Sequence, residues 1–566
     1  MSKNTKISER EKFLAEIKRL KKELKEKKKY GLVWEDKSED VVRMCKEKLP
    51  VLKEVKNKEI ITDKNKPVNL LIEGDNYHAL SVLNYTHKRK VDVIYIDPPY
   101  NTGANDWKYN NNYVDENDGY RHSKWINMMD KRLILAKSLL TENGIIVIAI
   151  DHNELFNLGL LCDKVFGEQN RLGIVAVVHK AEGRNQEKFF GTSHEYMFFY
   201  ARNKKKCQFQ NSILDETIAI SFDQEDEKGK YKLNNYIRSG GGDQNLRINK
   251  PHFFYPIYVS KNLQNISLVK KEEYFKVLPI TNAKQERTWK TTRKTFQDRL
   301  LDGKILTQKD NHGNIQIFEK YRENQIIKTH WIDKRYHAIH HGTKILEGIL
   351  GSKIFDFPKS LYLVLDTLKL TTGKEATILD FFAGSGTTAH AIFELNKEDE
   401  GNRKFILCTN NENKICEEVT YPRVQRVIEG YKKNGNGEKI QGLGGNLKYF
   451  KTDFVNYKES TDKNKIILTK NVTEMLCVKE ETFEEVENRV DFKIFKNSEH
   501  YTGIIFSQLA IKEFKKVIKN TKGKFSLYIF SLGDDSFEDE FDDMKQKIKL
   551  SPIPEAILKV YKKIFR

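Results

Sequence analysis

The chain is poor in cysteine, in proline and in unbroken apolar stretches. Its six cysteines are Cys45, Cys162, Cys207, Cys408, Cys416 and Cys477. No two of them stand as CxxC, and no His/Cys cluster has zinc-site spacing. That pattern argues against a disulfide scaffold or a structural metal and for a reducing cytoplasm. The longest clean apolar run covers residues 144–150, far too short to span a bilayer. The N-terminus is charged from the start, unlike a signal peptide. The expectation is a cytoplasmic protein with no membrane contact and no metal. Negative charge is also outweighed, with 99 Lys and Arg against 80 Asp and Glu and a formal net charge of +19. Such an excess suits a polyanionic partner, most simply nucleic acid, although a Lys-rich proteome with solvated surfaces gives the same balance. At 566 residues, 39% hydrophobic and 32% charged, the chain has room for more than one domain and a sizeable core under a charged surface.

What is present is led by residues 91–100. Val91 to Ile96 is β-branched and aromatic with only Asp92 polar, which predicts a buried parallel strand. Only eleven residues are proline, and two of them, Pro98 and Pro99, end that strand because neither can donate to a ladder. Asp97 and Tyr100 therefore fall at a strand's carboxyl edge, where open α/β sheets bind ligands. The chemistry that fits is methyl transfer to an exocyclic amino group. Such a nitrogen is a poor nucleophile because its lone pair is delocalised into the base. The Asp97 carboxylate and the Pro98 carbonyl can both accept its N–H groups, and Tyr100 can stack on the ring. This is positioning plus electrostatics, without a covalent intermediate. A strand followed by a Pro-Pro turn, or a proline-rich ligand motif, is the plain alternative.

Residues 69–75 predict a second buried strand, and Asn76 opens a helix, so residues 69–96 read as a βαβ unit. Asp75 is placed either to accept from an adenine amino group or to cap that helix. Residues 101–113 are polar and aromatic without a core pattern, and are expected to form a loop that closes over an extruded base. Further helices are expected over 123–140 and 155–166, and strands over 144–150, 174–179 and 196–201. From residue 203 Lys, Asn, Gln and scattered aromatics take over, with a glycine break at 239–242 and a basic stretch from Trp289 to Lys294. Residues 203–335 are read as an inserted domain that recognises sequence, assigned by position and composition. Residues 376–391 form the second motif: a strand ending in Asp380, then Gly384-Ser385-Gly386 and a helix. Flanked by Asp380, Phe382, Thr387 and Thr388, these glycines suit the amino-acid end of S-adenosylmethionine better than a dinucleotide. Glu412 follows the next strand at a distance fitting a ribose contact. Residues 1–30 predict one amphipathic helix. Residues 456–566 predict a tail of alternating strands and helices with no catalytic constellation.

With both motifs placed, the chain resembles the β-class amino-methyltransferases of DNA, and within them the modification subunit of type III restriction-modification systems. The resemblance rests on residues 97–103, 121–125, 194–196, 357–360 and 381–386, with further matches at 29–34 and 553–558. It implies an α/β, Rossmann-like methyltransferase core with a mostly parallel sheet, an inserted target-recognition domain and a C-terminal α+β domain. The expected boundaries are 1–60 for a helical or dimerisation region, 61–202 and 336–455 for the core, 203–335 for recognition and 456–566 for interaction. It implies N6-adenine methylation of double-stranded DNA at a short asymmetric site, with S-adenosylmethionine as cofactor. It also implies a homodimer and a separate helicase-nuclease partner, since this chain carries neither motif. By motif, Asp97, Pro98, Pro99 and Tyr100 carry catalysis. Asp75 with Asn76, Phe357, Lys359 with Ser360, Asp380, Phe382, Gly384, Gly386 and Thr387 line the cofactor. The family's usual Pro-Glu after the second cofactor strand is Asn411-Glu412 here, which leaves the ribose contact open. The rival readings are an orphan methyltransferase that acts without a nuclease partner, N4-cytosine methylation, since that amino group poses the same problem, and a sequence-specific DNA-binding module with a decayed site.

Overall fold

The computed structural model describes residues 13, 14, 16–18, 32–183, 189–210, 222–227, 229–238, 243–322, 327–433, 437–533, 535 and 537–565. The helix expected over 1–30 is described only at 13, 14 and 16–18, where it is helical, and the 239–242 break lies outside the described residues. The chain divides into two compact units, Met1–Gln210 with Lys328–Arg566, and Asn211–Ile327.

The large unit is built on one sheet. Its described strands are β1 (Lys48–Glu54), β2 (Ile60–Ile61), β3 (Val68–Glu73), β4 (Val91–Ile96), β5 (Leu140–Ile150), β6 (Arg171–Val178), β7 (His194–Ala201), β8 (His330–Trp331), β9 (Thr377–Asp380), β10 (Lys404–Thr409) and β11 (Asn446–Asn456). They lie in the order β1-β11-β3-β10-β9-β4-β5-β7-β6-β8, with β2 paired to β11. The six strands from β11 to β5 are parallel. β7 runs antiparallel to both β5 and β6. The helices that connect them include α1 (Asn76–Thr86), α2 (Arg121–Leu139), α3 (Leu155–Phe166), α4 (Leu361–Thr371), α5 (Thr387–Asp399) and α6 (Tyr421–Glu429). This is an α/β, Rossmann-like core with a mostly parallel sheet, as the sequence led us to expect.

The central strands are covered on both faces, which is why they read as unbroken apolar runs rather than alternating ones. Val91, Val93, Ile94, Tyr95 and Ile96 are all buried. Asp92, the one polar residue of β4, is used for alignment. Its carboxylate accepts from the Thr377 N–H at 2.9 Å and from Thr141 Oγ1 at 3.2 Å, pinning β9 and β5 on either side of β4. The strands of the second motif therefore slot between those of the first. Ile378 pairs with Val93 and Leu379 with Ile94, so Asp380 and Asp97 end neighbouring parallel strands.

The segment 101–115 departs from the expected open loop. Ala104–Tyr109 and Asn112–Asp115 form a hairpin, and Trp107, Tyr109 and Val114 are buried in the main core. Trp107 Nε1 donates to Asn101 Oδ1 at 3.0 Å, and Tyr109 donates its hydroxyl to the Lys37 carbonyl at 2.9 Å. A pattern of widely spaced aromatics among Asn and Asp has no period to read, yet three anchors suffice to order it.

Beyond β11 a five-stranded sheet runs Glu484–Asn488, Phe492–Lys496, His500–Ile505, Lys524–Phe530 and Ile548–Ile553, its last three strands parallel. It shares a core with the large sheet, since Tyr528, Ile557 and Tyr561 pack in the same cluster as β4 and α1. Tyr561 donates its hydroxyl to the Pro50 carbonyl at 2.6 Å. No described helix is long and apolar enough to cross a membrane.

The smaller unit has its own core of Tyr236, Tyr255, Trp289, Phe296 and neighbouring aliphatics. Around it lie a four-stranded antiparallel sheet, a three-stranded sheet and the helix Arg293–Leu301. Trp289 is 1% exposed and donates Nε1 to the Tyr255 carbonyl at 2.7 Å, so the aromatic of the basic stretch is a core residue. Residues 203–210 and 328–335 fold with the large unit instead. Gln210 N donates to the Leu370 carbonyl at 2.7 Å, and β8 pairs with β6.

Candidate active site

Two motifs about 280 residues apart in sequence meet at one sheet edge because β9 lies beside β4. A side chain from a third place ties the second motif to α2. Asn76, the first residue of α1, donates Nδ2 to the Phe381 carbonyl at 3.0 Å and accepts from Arg132 Nε. Its neighbour Asp75 caps α1 by accepting from Tyr77 N at 2.7 Å and faces Arg132 at 3.3 Å. The capping role is thus filled, and the Asp75 side chain keeps 30% of its surface open.

Asp97 sits in a cluster of four groups. Glu195, on β7, accepts from the Tyr100 hydroxyl at 2.7 Å and from Lys359 Nζ at 2.6 Å. The same ammonium lies 3.3 Å from Asp97 Oδ1, donates to the Tyr100 hydroxyl, and stands 4.6 Å from the centre of the Tyr100 ring. Lys359, grouped by resemblance with the cofactor residues, is therefore placed against the Asp97 carboxylate. Burial pushes the Asp97 carboxyl up to about 6, with Lys359 pulling it down and Glu195 adding to the rise. For Glu195, burial also raises the carboxyl, but the charge and hydrogen bond of Lys359 outweigh it and hold it below its ordinary value. Burial drives the Lys359 ammonium down, yet the two carboxylates win and hold it above its ordinary value.

The two prolines differ in how their carbonyls are used. Trp125, wholly buried on α2, donates Nε1 to the Pro99 carbonyl at 2.7 Å. Among the described residues none donates to the Pro98 carbonyl. Asn101 turns the chain at a φ of 57° and is buried, with Nδ2 donating to Glu154 Oε1 at 2.5 Å. His122 meets the same oxygen at 2.6 Å.

The second motif is a turn held from below. Gly384 and Gly386 have φ of 46° and 76°, a region that disfavours side chains. A Cβ on Gly384 would lie 3.5 Å from Phe355, and one on Gly386 would lie 3.3 Å from Thr420 Cγ2. Thr420 Oγ1 donates to the Gly384 carbonyl at 2.6 Å. Arg423, fully buried on α6, donates to Thr387 Oγ1 at 2.8 Å and to Ser385 Oγ at 3.1 Å. Asp380 accepts from Thr388 Oγ1 at 2.6 Å and from the Phe382 N–H at 3.0 Å. Burial raises its carboxyl to about 7, those two hydrogen bonds hold it down only in part, and Asp97 adds to the rise.

The remaining expected residues are dispersed around this edge. Ser360 is buried and donates Oγ to the Arg335 carbonyl at 2.6 Å, so its side chain is occupied in the fold. Phe357 is 84% exposed at a φ of 58°, a strained backbone for a bulky residue. Glu412 pairs with Lys108 of the hairpin at 2.5 Å. The 357–360 segment lies so close to its neighbour that a Cβ on Gly342 would sit 2.3 Å from the Pro358 carbonyl. Among the described residues no group of His, Cys, Asp and Glu is arranged to hold a metal ion.

Sequence reasoning assigned no role to Glu195, Trp125, Arg132, Phe355 or Arg423. One signal was available: Glu195 is a carboxylate in a strand that continues as Tyr196, Met197, Phe198, Phe199, Tyr200 and Ala201. A charge in such a run is tolerated only with a partner. The donor set also fits the expected cofactor. Asp75, Asp97 and Asp380 stand at the carboxyl ends of three parallel strands of one sheet, an acidic edge that suits a cationic sulfonium amino acid and repels a pyrophosphate.

Comparison with known proteins gives the same direction. Residues 91–420 match the N6/N4 family model described as DNA methylase. The chain is 32% identical over 406 residues to the type III restriction-modification enzyme EcoPI Mod subunit of Escherichia phage P1, covering 64% of this chain and 62% of that protein. It is 32% identical over 339 residues to the type II methyltransferase M.KpnI of Klebsiella pneumoniae, covering 60% and 79%. It is 29% identical over 407 residues to the StyLTI Mod subunit of Salmonella typhimurium, covering 67% and 58%. The chain thus spans about three fifths of the length of these type III relatives. The family match covers more than half of the chain and contains both strand-end motifs, and the chain belongs to the DNA methylase family.

Proposed function

We propose that the protein transfers a methyl group from S-adenosylmethionine to N6 of adenine in duplex DNA, as the modification and recognition subunit of a type III restriction-modification system. The observation that carries this reading is the adjacency of β4 and β9, which puts the Asp97-Pro98-Pro99-Tyr100 end beside the Asp380 end and its glycine turn. The Mod-subunit relatives support the type III assignment. In this reading the chain works as a homodimer with a separate helicase-nuclease partner, as the sequence resemblance implies.

In this reading the target adenine is turned out of the duplex, as enzymes acting on bases require. Asp97 and the Pro98 carbonyl accept its two amino hydrogens, which pyramidalises N6 and aims its lone pair. Tyr100 stacks on the base, its ring held by its hydroxyl bond to Glu195. Trp125, by engaging the Pro99 carbonyl, leaves that of Pro98 as the second acceptor. The bound cofactor supplies an electrophilic methyl group on a sulfonium. Gly384, Gly386 and Thr387 receive its amino-acid end at the start of α5, with Asp380 and Phe382 shaping that turn. Asp75 and Asn76 lie on the adenosine side, Phe357 offers an open aromatic face, Glu412 takes the ribose and Ser360 fixes the 357–360 segment. Asn211–Ile327 is assigned to sequence recognition on its composition and its place in the chain.

The test is to incubate unmodified DNA with purified protein and cofactor carrying a labelled methyl group, digest to nucleosides and identify the labelled product. N6-methyl-2′-deoxyadenosine in the digest, with the modified adenines clustered at one short site when mapped, is the expected result. Labelled N4-methylcytosine would replace adenine by cytosine as the target, and no label in any DNA would reject the enzymatic reading.

A further inference from the structure

Among the groups around Asp97, one carboxylate has no role in the reaction described above except through its neighbours. Glu195 is 5% exposed, on β7 rather than on either motif. A single oxygen, Oε2, accepts from both Tyr100 at 2.7 Å and Lys359 at 2.6 Å. The ammonium is thus bound tightly to Glu195 and only loosely to Asp97, at 3.3 Å. Without Glu195, a buried lysine facing a lone carboxylate would close onto it as a tight ion pair. Asp97 would then spend its lone pairs on the ammonium instead of on the target amine.

We propose that Glu195 is a positioning residue for the reaction: it draws the Lys359 ammonium away from Asp97 and pins the Tyr100 hydroxyl, leaving the Asp97 carboxylate ionised but available to the substrate's amino group. The proposal rests on the functional reading above. Lys359 in turn keeps two neighbouring carboxylates charged together, a state that a bare pair would avoid by taking up a proton. The other titratable groups that act on these side chains are Tyr95 on β4, Asp380 on β9, Asp151 after β5 and His179 after β6. None of them touches the Lys359 ammonium in place of Glu195.

The experiment compares Glu195→Gln, Lys359→Met and the double variant in the full chain. Two readouts are taken: the pH profile of single-turnover methyl transfer, and the titration of the Asp97 carboxyl by carbon-13 NMR with aspartate labelled at Cγ, assigned by difference from Asp97→Asn. Glu195→Gln is expected to slow transfer about ten- to a hundred-fold, with affinities for DNA and S-adenosylhomocysteine unchanged. Its Asp97 carboxyl and the acid limb of its profile should move to lower pH, because the ammonium then serves Asp97 alone. Lys359→Met should move both to higher pH, since the two carboxylates then repel without a cation between them. The double variant should return both toward wild type and recover part of the rate lost in Glu195→Gln. An Asp97 carboxyl that titrates alike in wild type and Glu195→Gln would overturn the proposal, as would a double variant no faster than Glu195→Gln. Should Glu195→Gln not fold, an unmoved Asp97 titration in Lys359→Met would overturn it equally. The NMR readout needs no turnover, so a wild-type protein that methylates no DNA would sink the functional reading while the titration still decides what Glu195 does to Asp97.

Discussion

Replacing Asp97 by asparagine keeps the shape of the side chain and removes its charge, and the structure gives opposite signs for stability and activity. The Asp97 carboxyl is held at about 6 rather than 3.8, chiefly by burial and by Glu195. A carboxyl raised in the folded chain makes its ionised form a burden that is absent below pH 4, grows between 4 and 6 and is complete above 6. At neutral pH that burden is about 3 kcal/mol at most. The Asp97→Asn substitution removes it and leaves Lys359 paired with Glu195 at 2.6 Å. The variant should therefore be as stable as wild type or more so at pH 7.5, melting about 1–3 °C higher for a body of this size. The advantage should vanish as the pH approaches 4. Methyl transfer should fall by about 10³-fold or more, because an amide offers one acceptor and two donors where the amine needs a charged acceptor. DNA and cofactor affinity should change by no more than a few-fold. Scanning fluorimetry across pH, single-turnover transfer and calorimetric titration with S-adenosylhomocysteine measure the three quantities. A variant clearly less stable than wild type at pH 7.5, or one that loses DNA binding in step with activity, would refute this account of Asp97.

Two more outcomes follow from the same geometry. Thr388→Val deletes the O–H donor to Asp380, whose carboxyl already lies at about 7. Cofactor affinity in wild type should weaken as pH falls below about 7, because the cationic ligand needs the ionised carboxylate, and in Thr388→Val the weakening should begin about one pH unit higher, as read by calorimetry over pH 6–8.5. Trp125→Phe leaves the Pro99 carbonyl without its donor inside the core, which costs about 1–3 kcal/mol. Chemical denaturation should register that loss, and kcat should fall about tenfold with KM for the cofactor unchanged, since the Pro98-Pro99 turn loses its register.

Local sequence determined the pieces of this protein that depend on neighbours in the chain. The run from Val91 to Ile96 read as a doubly covered strand ended by Pro98 and Pro99, and it folds as one. The 155–166 helix and the strand-turn-helix around Gly384 were equally legible, because hydrophobic period and backbone stereochemistry act over a few residues. The 104–115 hairpin was not, since its order comes from Trp107, Tyr109 and Val114 finding a core made elsewhere. Nor could Trp289 be told from an exposed aromatic until the small unit closed around it. The insertion of β9 and β10 between β3 and β4 belonged to the tertiary structure alone. So did the meeting of Glu195 and Lys359 across 164 residues, and of Lys359 with Asp97. Charges buried at such contacts are held by partners that no local pattern encodes, because Coulomb interactions depend on distance through space and are indifferent to separation along the chain.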